Sequence, residues 1–153
     1  MRQRWRLADY NDVVDVSSRL RAEDWREAFI LTGEDPRYYL PANFNRGTTY
    51  VIFNSQGENV ALAGVDDVGS GHGLIWMVAT PSLLNHQIEF LKHSKAWIEE
   101  VTRPYSLVGN LVHAENKVHL RWLQWCGFTF LRKVEAGKPP ATFIEFVRIT
   151  PCA

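Results

Sequence analysis

Hydrophobic and polar positions divide the chain most clearly in its third quarter. An apolar run from Leu74 to Ala79 stops at Thr80-Pro81, and beyond it Leu84, Ile88, Leu91, Ile98 and Val101 recur at helical rather than alternating spacing. The pattern predicts a strand, then a helix. A second short apolar run, Leu107 to Val112, leads through His113-Ala114-Glu115-Asn116 into a tryptophan-rich helical stretch ending at Cys126-Gly127-Phe128. This strand–helix–strand–helix unit, from Gly73 to Phe128, organises the chain, and a ligand is expected at its open ends.

The flanking segments supply the remaining elements. Residues 2–8 read as a first strand, and Asp9 or Asn11 caps a helix carrying Val13, Val14, Val16 and Leu20. A second helix covers 23–31, with acids in its first turn and Gly33 just past its end, and Asp35-Pro36 opens a short helix through Leu40 that Pro41 limits. Strands are predicted at 48–53, 59–66, 74–80, 107–113, 128–134 and 142–149. A flexible glycine loop is expected at 69–73, a long helix at 82–101 antiparallel to strand 74–80, and a helix at 116–126. Strands 74–80 and 107–113 are expected to be parallel neighbours. The order predicts a single α+β domain over 1–153, with a mixed, mostly antiparallel sheet of about six to seven strands and helices on both faces.

Composition narrows the function classes. Hydrophobic residues make up 46% and charged residues 22%, which suggests neither disorder nor a membrane class. Lys+Arg and Asp+Glu are both 17, so no net cationic field gathers nucleic acid. Arg2, Arg4 and Arg6 would share one face of an extended start, which an exposed strand edge explains equally well. Cys126 and Cys152 form neither a secreted disulfide framework nor a zinc ligand set, and a reducing compartment is the natural expectation. The N-terminus lacks the apolar stretch of a signal peptide, and no segment has the roughly 18 apolar residues of a membrane span, so a soluble, intracellular protein is expected. Six tryptophans fit large-residue core packing or a partner-binding surface.

This element order resembles the GNAT acetyltransferase fold. The most specific match is Asn116 followed by a helix and Gly127-Phe128; Leu7 to Asp12 and the hairpin running into strand 74–79 are also similar. Within that fold the chain resembles the internal virion protein family of short-tailed phages, whose last helix carries Arg-Trp-Leu-x-Trp-x-Gly-Phe. Here the segment reads Arg121-Trp122-Leu123-Gln124-Trp125-Cys126-Gly127-Phe128. The Asp24…Glu27 helix, Trp76 ahead of Thr80-Pro81, and Phe90…Trp97 are similar as well. The resemblance implies a part in virion assembly or genome delivery, other phage virion proteins as partners, and a location in the host cytoplasm during synthesis and then in the virion.

The GNAT resemblance also implies chemistry, and there the chain departs from the pattern. GNAT enzymes cradle the pyrophosphate of acetyl-CoA on backbone N–H groups of a glycine-bearing turn at a helix N-terminus. By resemblance Val78, Thr80, Ser82, Leu83 and Asn116 would meet that cofactor, yet Pro81 to Gln87 contains no glycine and Pro81 has no N–H. Many family members place a tyrosine on the last helix to protonate the leaving thiolate; the position here is Leu123, and a lost general acid costs about 10²–10⁴ in rate. His113 and His119 flank the expected cleft and are the candidate substitutes. A catalytically degenerate acetyltransferase relative is the expectation, and an active acetyl-CoA-dependent N-acetyltransferase is the alternative.

Other residues carry weaker indications. His86 and His93 share a helix face but have no further ligands, so no metal site is expected. Ser94 and Cys126 lack nucleophile signatures, and Asp66-Asp67 read as solvated turn acids. Asn116 reads better as a helix cap than as a cofactor ligand. The broad apolar face of Trp122, Leu123 and Trp125 suits either a partner or a sheet and cofactor.

Overall fold

A computed structural model describes residues 4–150, with Arg46 and His86 described by their backbone alone. Strand β1 (Trp5–Leu7) leads into α1 (Tyr10–Ser17), which is fixed by a capping box: the Asp9 side chain accepts the Asp12 N–H and the Asp12 side chain accepts the Asp9 N–H. Helix α2 (Ala22–Thr32) stops at Gly33, whose φ of 74° is open to glycine at little cost, and α3 (Pro36–Ala42) starts on Pro36 with Asp35 as its cap. Then come β2 (Thr48–Phe53), β3 (Asn59–Gly69), β4 (His72–Ala79), α4 (Gln87–Thr102), β5 (Leu107–His113), α5 (Lys117–Trp125), β6 (Thr129–Ala136) and β7 (Ala141–Ile149).

The seven strands of the described residues join one sheet in the order β1-β2-β3-β4-β5-β7-β6. Every pairing is antiparallel except β4 with β5, where α4 supplies the crossover that parallel neighbours require. Alternation along the strands feeds two cores. Ala61, Ala63, Val65, Ile75 and Met77 pack with Phe90, Trp97, Ile98 and Trp122 of α4 and α5, whereas Leu62 and Val78 pack with Val13 and Val16 of α1. Trp97, Trp122 and Phe128 are buried, as their positions on apolar faces require.

The boundaries depart from expectation in instructive places. Residues 82–86 do not begin the long helix: Pro81–His86 is a 3-10 turn, and the α-helix starts at Gln87. The tighter winding lets Leu83 bury in the core while Leu84 stays outside. The expected glycine loop is instead a tight hairpin, because β3 and β4 run on to Gly69 and His72 and leave Ser70 and Gly71 at φ 56° and 75°. Helix α1 ends before Leu20, and α5 spans 117–125. Arg4 pairs with Glu89 and Arg6 with Asp12, so these two cations are used internally; Arg2 and Cys152 lie outside the described residues.

Candidate functional site

The parallel pair β4–β5 is short. It holds only across His72↔Leu107, Gly73↔Val108 and Leu74↔Gly109, after which the strands part. Asn110 spans the opening by donating its Nδ2–H to the Ile75 carbonyl at 3.2 Å. In and behind the opening lies a cavity of about 250 Å³, bounded by α2, α3 and α5 and lined among others by Glu27, Tyr39, Asp66, Trp76, Leu111 and His119.

A splayed strand presents unpaired backbone groups, which need partners once buried. At Ala79 those partners come from the start of α2. The Ala79 N–H donates to Asp24 Oδ2 at 2.8 Å, and its carbonyl accepts the Arg21 N–H at 2.8 Å. Ala79 lies opposite Ala61 of β3 but turns both polar groups away from it, toward the opening. By the same alternation Met77, opposite Ala63, turns its N–H and C=O to that side.

Asp24 is also the hub of a buried polar cluster. Arg21, Asp24 and Asn116 are 5%, 2% and 0% exposed. Arg21 Nη1–H donates to Asp24 Oδ1 at 3.1 Å, and Arg21 Nη2 lies 3.3 Å from Glu23 on the outside. The Asn116 amide nitrogen donates to Asp24 Oδ1 at 2.9 Å and to Glu27 Oε2 at 2.7 Å, and it lies 3.3 Å from His119 Nδ1. Such a cluster holds only if its charges stay paired, since a carboxylate left alone in this setting costs several kcal/mol. Burial alone lowers the pKa of His119, but the hydrogen bond and charge of Glu27, with Asp24 behind it, outweigh burial and the net shift is upward. Among the described residues, three buried polar atoms here have no partner: the acceptor Asn116 Oδ1 and the donors Arg21 Nε and Trp122 Nε1.

Of the residues singled out from the sequence, His119 and Asn116 meet at this cluster, and Val78 and Leu123 line the cavity. His113 does not join them: it is buried at the end of β5, with its ring edge-on to Phe143. Asn116 stands at the helix N-cap position, but its side chain makes no capping bond and reaches back to α2 instead. Thr80 is fully buried and gives both its N–H and its hydroxyl to the Val60 carbonyl, while Leu83 spends its N–H on Thr80. Ser82 is half-buried on the 3-10 turn. Asp66 departs from a solvated turn acid: it lines the cavity, where burial raises its carboxyl and a hydrogen bond from Trp76 partly offsets this, whereas Asp67 is exposed and caps the Gly69 N–H. Cys126 is buried, which pushes its thiol up to about 12 and makes it a poor nucleophile.

Sequence reasoning missed Arg21, Asp24 and Glu27 as a site. Their spacing held a signal, because residues three apart on a helix share a face, and a face bearing Arg, Asp and Glu beside apolar neighbours has to find partners when it packs.

No protein-family model matches the sequence, and no curated protein matches it. Solved structures do. The chain is similar to spermidine N-acetyltransferase from Vibrio cholerae, solved in complex with CoA and spermine, at 11% identity and a TM-score of 0.67, over 95% of this chain and 94% of that one. It is similar to ribosomal-protein-S18-alanine N-acetyltransferase from Escherichia coli at 12% identity and 0.65, over 97% and 94%. It is also similar to an acetyltransferase of the GNAT family from Streptococcus pneumoniae at 14% identity and 0.63, over 96% and 98%. At these identities the likeness is one of fold. The chain has the α+β GNAT fold, with its seven-stranded, mostly antiparallel sheet.

Proposed function

We propose that this GNAT-fold chain is a catalytically degenerate relative of the acetyltransferases, acting through protein contacts in virion assembly or genome delivery. The observation that carries this reading is at Ala79. Its N–H and carbonyl face the opening between β4 and β5, where unpaired strand backbone could receive the amides of a bound cofactor, and Asp24 and Arg21 already hold both. Three features agree with it. The turn Pro81–His86 offers no glycine for close approach to a pyrophosphate, the Leu83 N–H is bonded inside the turn, and Leu123, where a tyrosine acid would stand, is 2% exposed among core residues. The virion role rests on the resemblance of Arg121 to Phe128, with Phe130 and Leu131 on β6 and Ile149 at the end of β7 as exposed apolar contacts for other virion proteins.

An active acetyl-CoA-dependent N-acetyltransferase is the second reading. Glu27 and His119 at one end of the cavity, and the outward-turned edge of Met77, favour it. A turnover assay with acetyl-CoA against polyamine, lysine and N-terminal peptide amines separates the two. No acetylated product above the uncatalysed rate is expected, and product formation abolished by Glu27→Gln would establish the enzyme.

A further inference from the structure

The cluster between α2 and α5 is laid out for a cation as well as for hydrogen bonds. Asp24, Glu27 and His119 each offer one donor atom, and the three lie within 4.8 Å of one another. His119 Nδ1 lies 3.5 Å from Glu27 Oε2 and 3.9 Å from Asp24 Oδ1. Ligand atoms around a tetrahedral ion with bonds of about 2.0–2.2 Å stand roughly 3.3–3.6 Å apart, so small side-chain adjustments close the set.

Asn116 supplies an independent observation. Its amide is the group that all three donor atoms surround, it is 0% exposed, and its hydrogen bonds do not balance. The nitrogen has two hydrogens for three neighbours, while Oδ1 is buried without a partner. A half-turn of the amide over a bound cation makes Oδ1 a fourth ligand and relieves the crowded nitrogen. Arg21 pairs with Asp24 and with Glu23 on the outside, while Glu27 accepts the neutral Asn116 amide beside His119.

We infer that Asp24 Oδ1, Glu27 Oε2 and His119 Nδ1, with Asn116 Oδ1, form a site for a divalent transition-metal ion that ties α2 to α5. Asp24 Oδ2 stays on the Ala79 N–H, so the site is compatible with the closed strand edge. One nitrogen and three oxygens suit Zn²⁺ or Mn²⁺ better than a soft, thiolate-seeking ion. Asp24, Glu27 and His119 also line the cavity, which leaves room for a further ligand on the ion from that side.

Metal-stripped full-length protein titrated with Zn²⁺ by calorimetry tests this, with the visible absorption of added Co²⁺ as a second readout. Expected are a single equivalent per chain at micromolar affinity or tighter, weakening by at least about tenfold in Glu27→Gln and His119→Ala, and no change in His72→Ala, which removes an exposed histidine elsewhere. Co²⁺ should give the intense band of a four- or five-coordinate site, lost in Glu27→Gln. If His119→Ala fails to fold, the shape-conserving Glu27→Gln and the Co²⁺ spectrum decide. Absence of binding, or an affinity that Glu27→Gln leaves unchanged, overturns the assignment.

Discussion

Asp24, in the first turn of α2, accepts the backbone N–H of Ala79, the last residue of β4, at 2.8 Å, and so closes the strand edge that the β4–β5 splay exposes. The same carboxylate pairs with Arg21 and receives the Asn116 amide, so its loss strands three buried donors together. Replacing one partner of a buried ion pair typically costs about 3–5 kcal/mol. Asp24→Ala is therefore expected to destabilise by that amount in urea denaturation; a midpoint equal to wild type would show the contact to be incidental.

Trp122 and Leu123 make the last helix part of the core. Trp122 is 5% exposed and packs on Phe90 with ring centroids 5.9 Å apart, so Trp122→Ala should cost about 3–5 kcal/mol through the cavity it leaves. Leu123→Tyr, which restores the residue type of an acetyltransferase acid, should instead cost about 1–3 kcal/mol by overpacking and give no turnover. Equilibrium unfolding checks both, and a stable, active Leu123→Tyr protein would contradict the placement of Leu123 in the core.

Asp12 fixes the sign of one pH effect. The hydrogen bond from Arg6, against the opposing effect of burial and with help from the Asp9 N–H, the Arg6 charge and Asn59, lowers its carboxyl from 3.8 to about 2. A carboxyl depressed in the folded state contributes stability in full above its unfolded pKa and loses it as pH falls through the folded value. Arg6 is half exposed, so the contribution is discounted to on the order of 1–2 kcal/mol. Asp12→Asn should show that deficit near neutral pH and a shrinking one as pH falls from about 4 toward 2; a deficit constant over that range would rule out the ionic contribution.

Much of the fold was legible because each strand alternates or runs apolar between turn residues, and because the period changes at Thr80-Pro81. The start of α4 was not. Pro81 followed by Ser82 reads the same for an α-helix as for the 3-10 turn found there, and burial of Leu83 decides between them. The polar cluster was illegible for another reason. Asn116 and Asp24 are 92 positions apart, so nothing local announces their bond, and the capping role that residue type predicted for Asn116 lost to two carboxylates from α2. His119 joins the cluster because it sits on the face of α5 toward α2, while His113, at a strand end, is turned by alternation toward Phe143.

Calorimetric titration with acetyl-CoA asks whether the closed edge at Ala79 and the glycine-free turn exclude the cofactor. With Ala79 satisfied from within and the 81–86 turn lacking glycine, a neutral backbone contact worth about 0.5–1.5 kcal/mol and charge-assisted contacts worth about 1.5–3 kcal/mol each are missing, so binding should be weaker by on the order of 10²-fold or more than for an intact cradle. The expected result is no heat, or a dissociation constant in the high micromolar range. Micromolar or tighter binding by the wild-type chain, abolished by a bulky replacement of Ser82, would contradict it and identify a working acyl-CoA site.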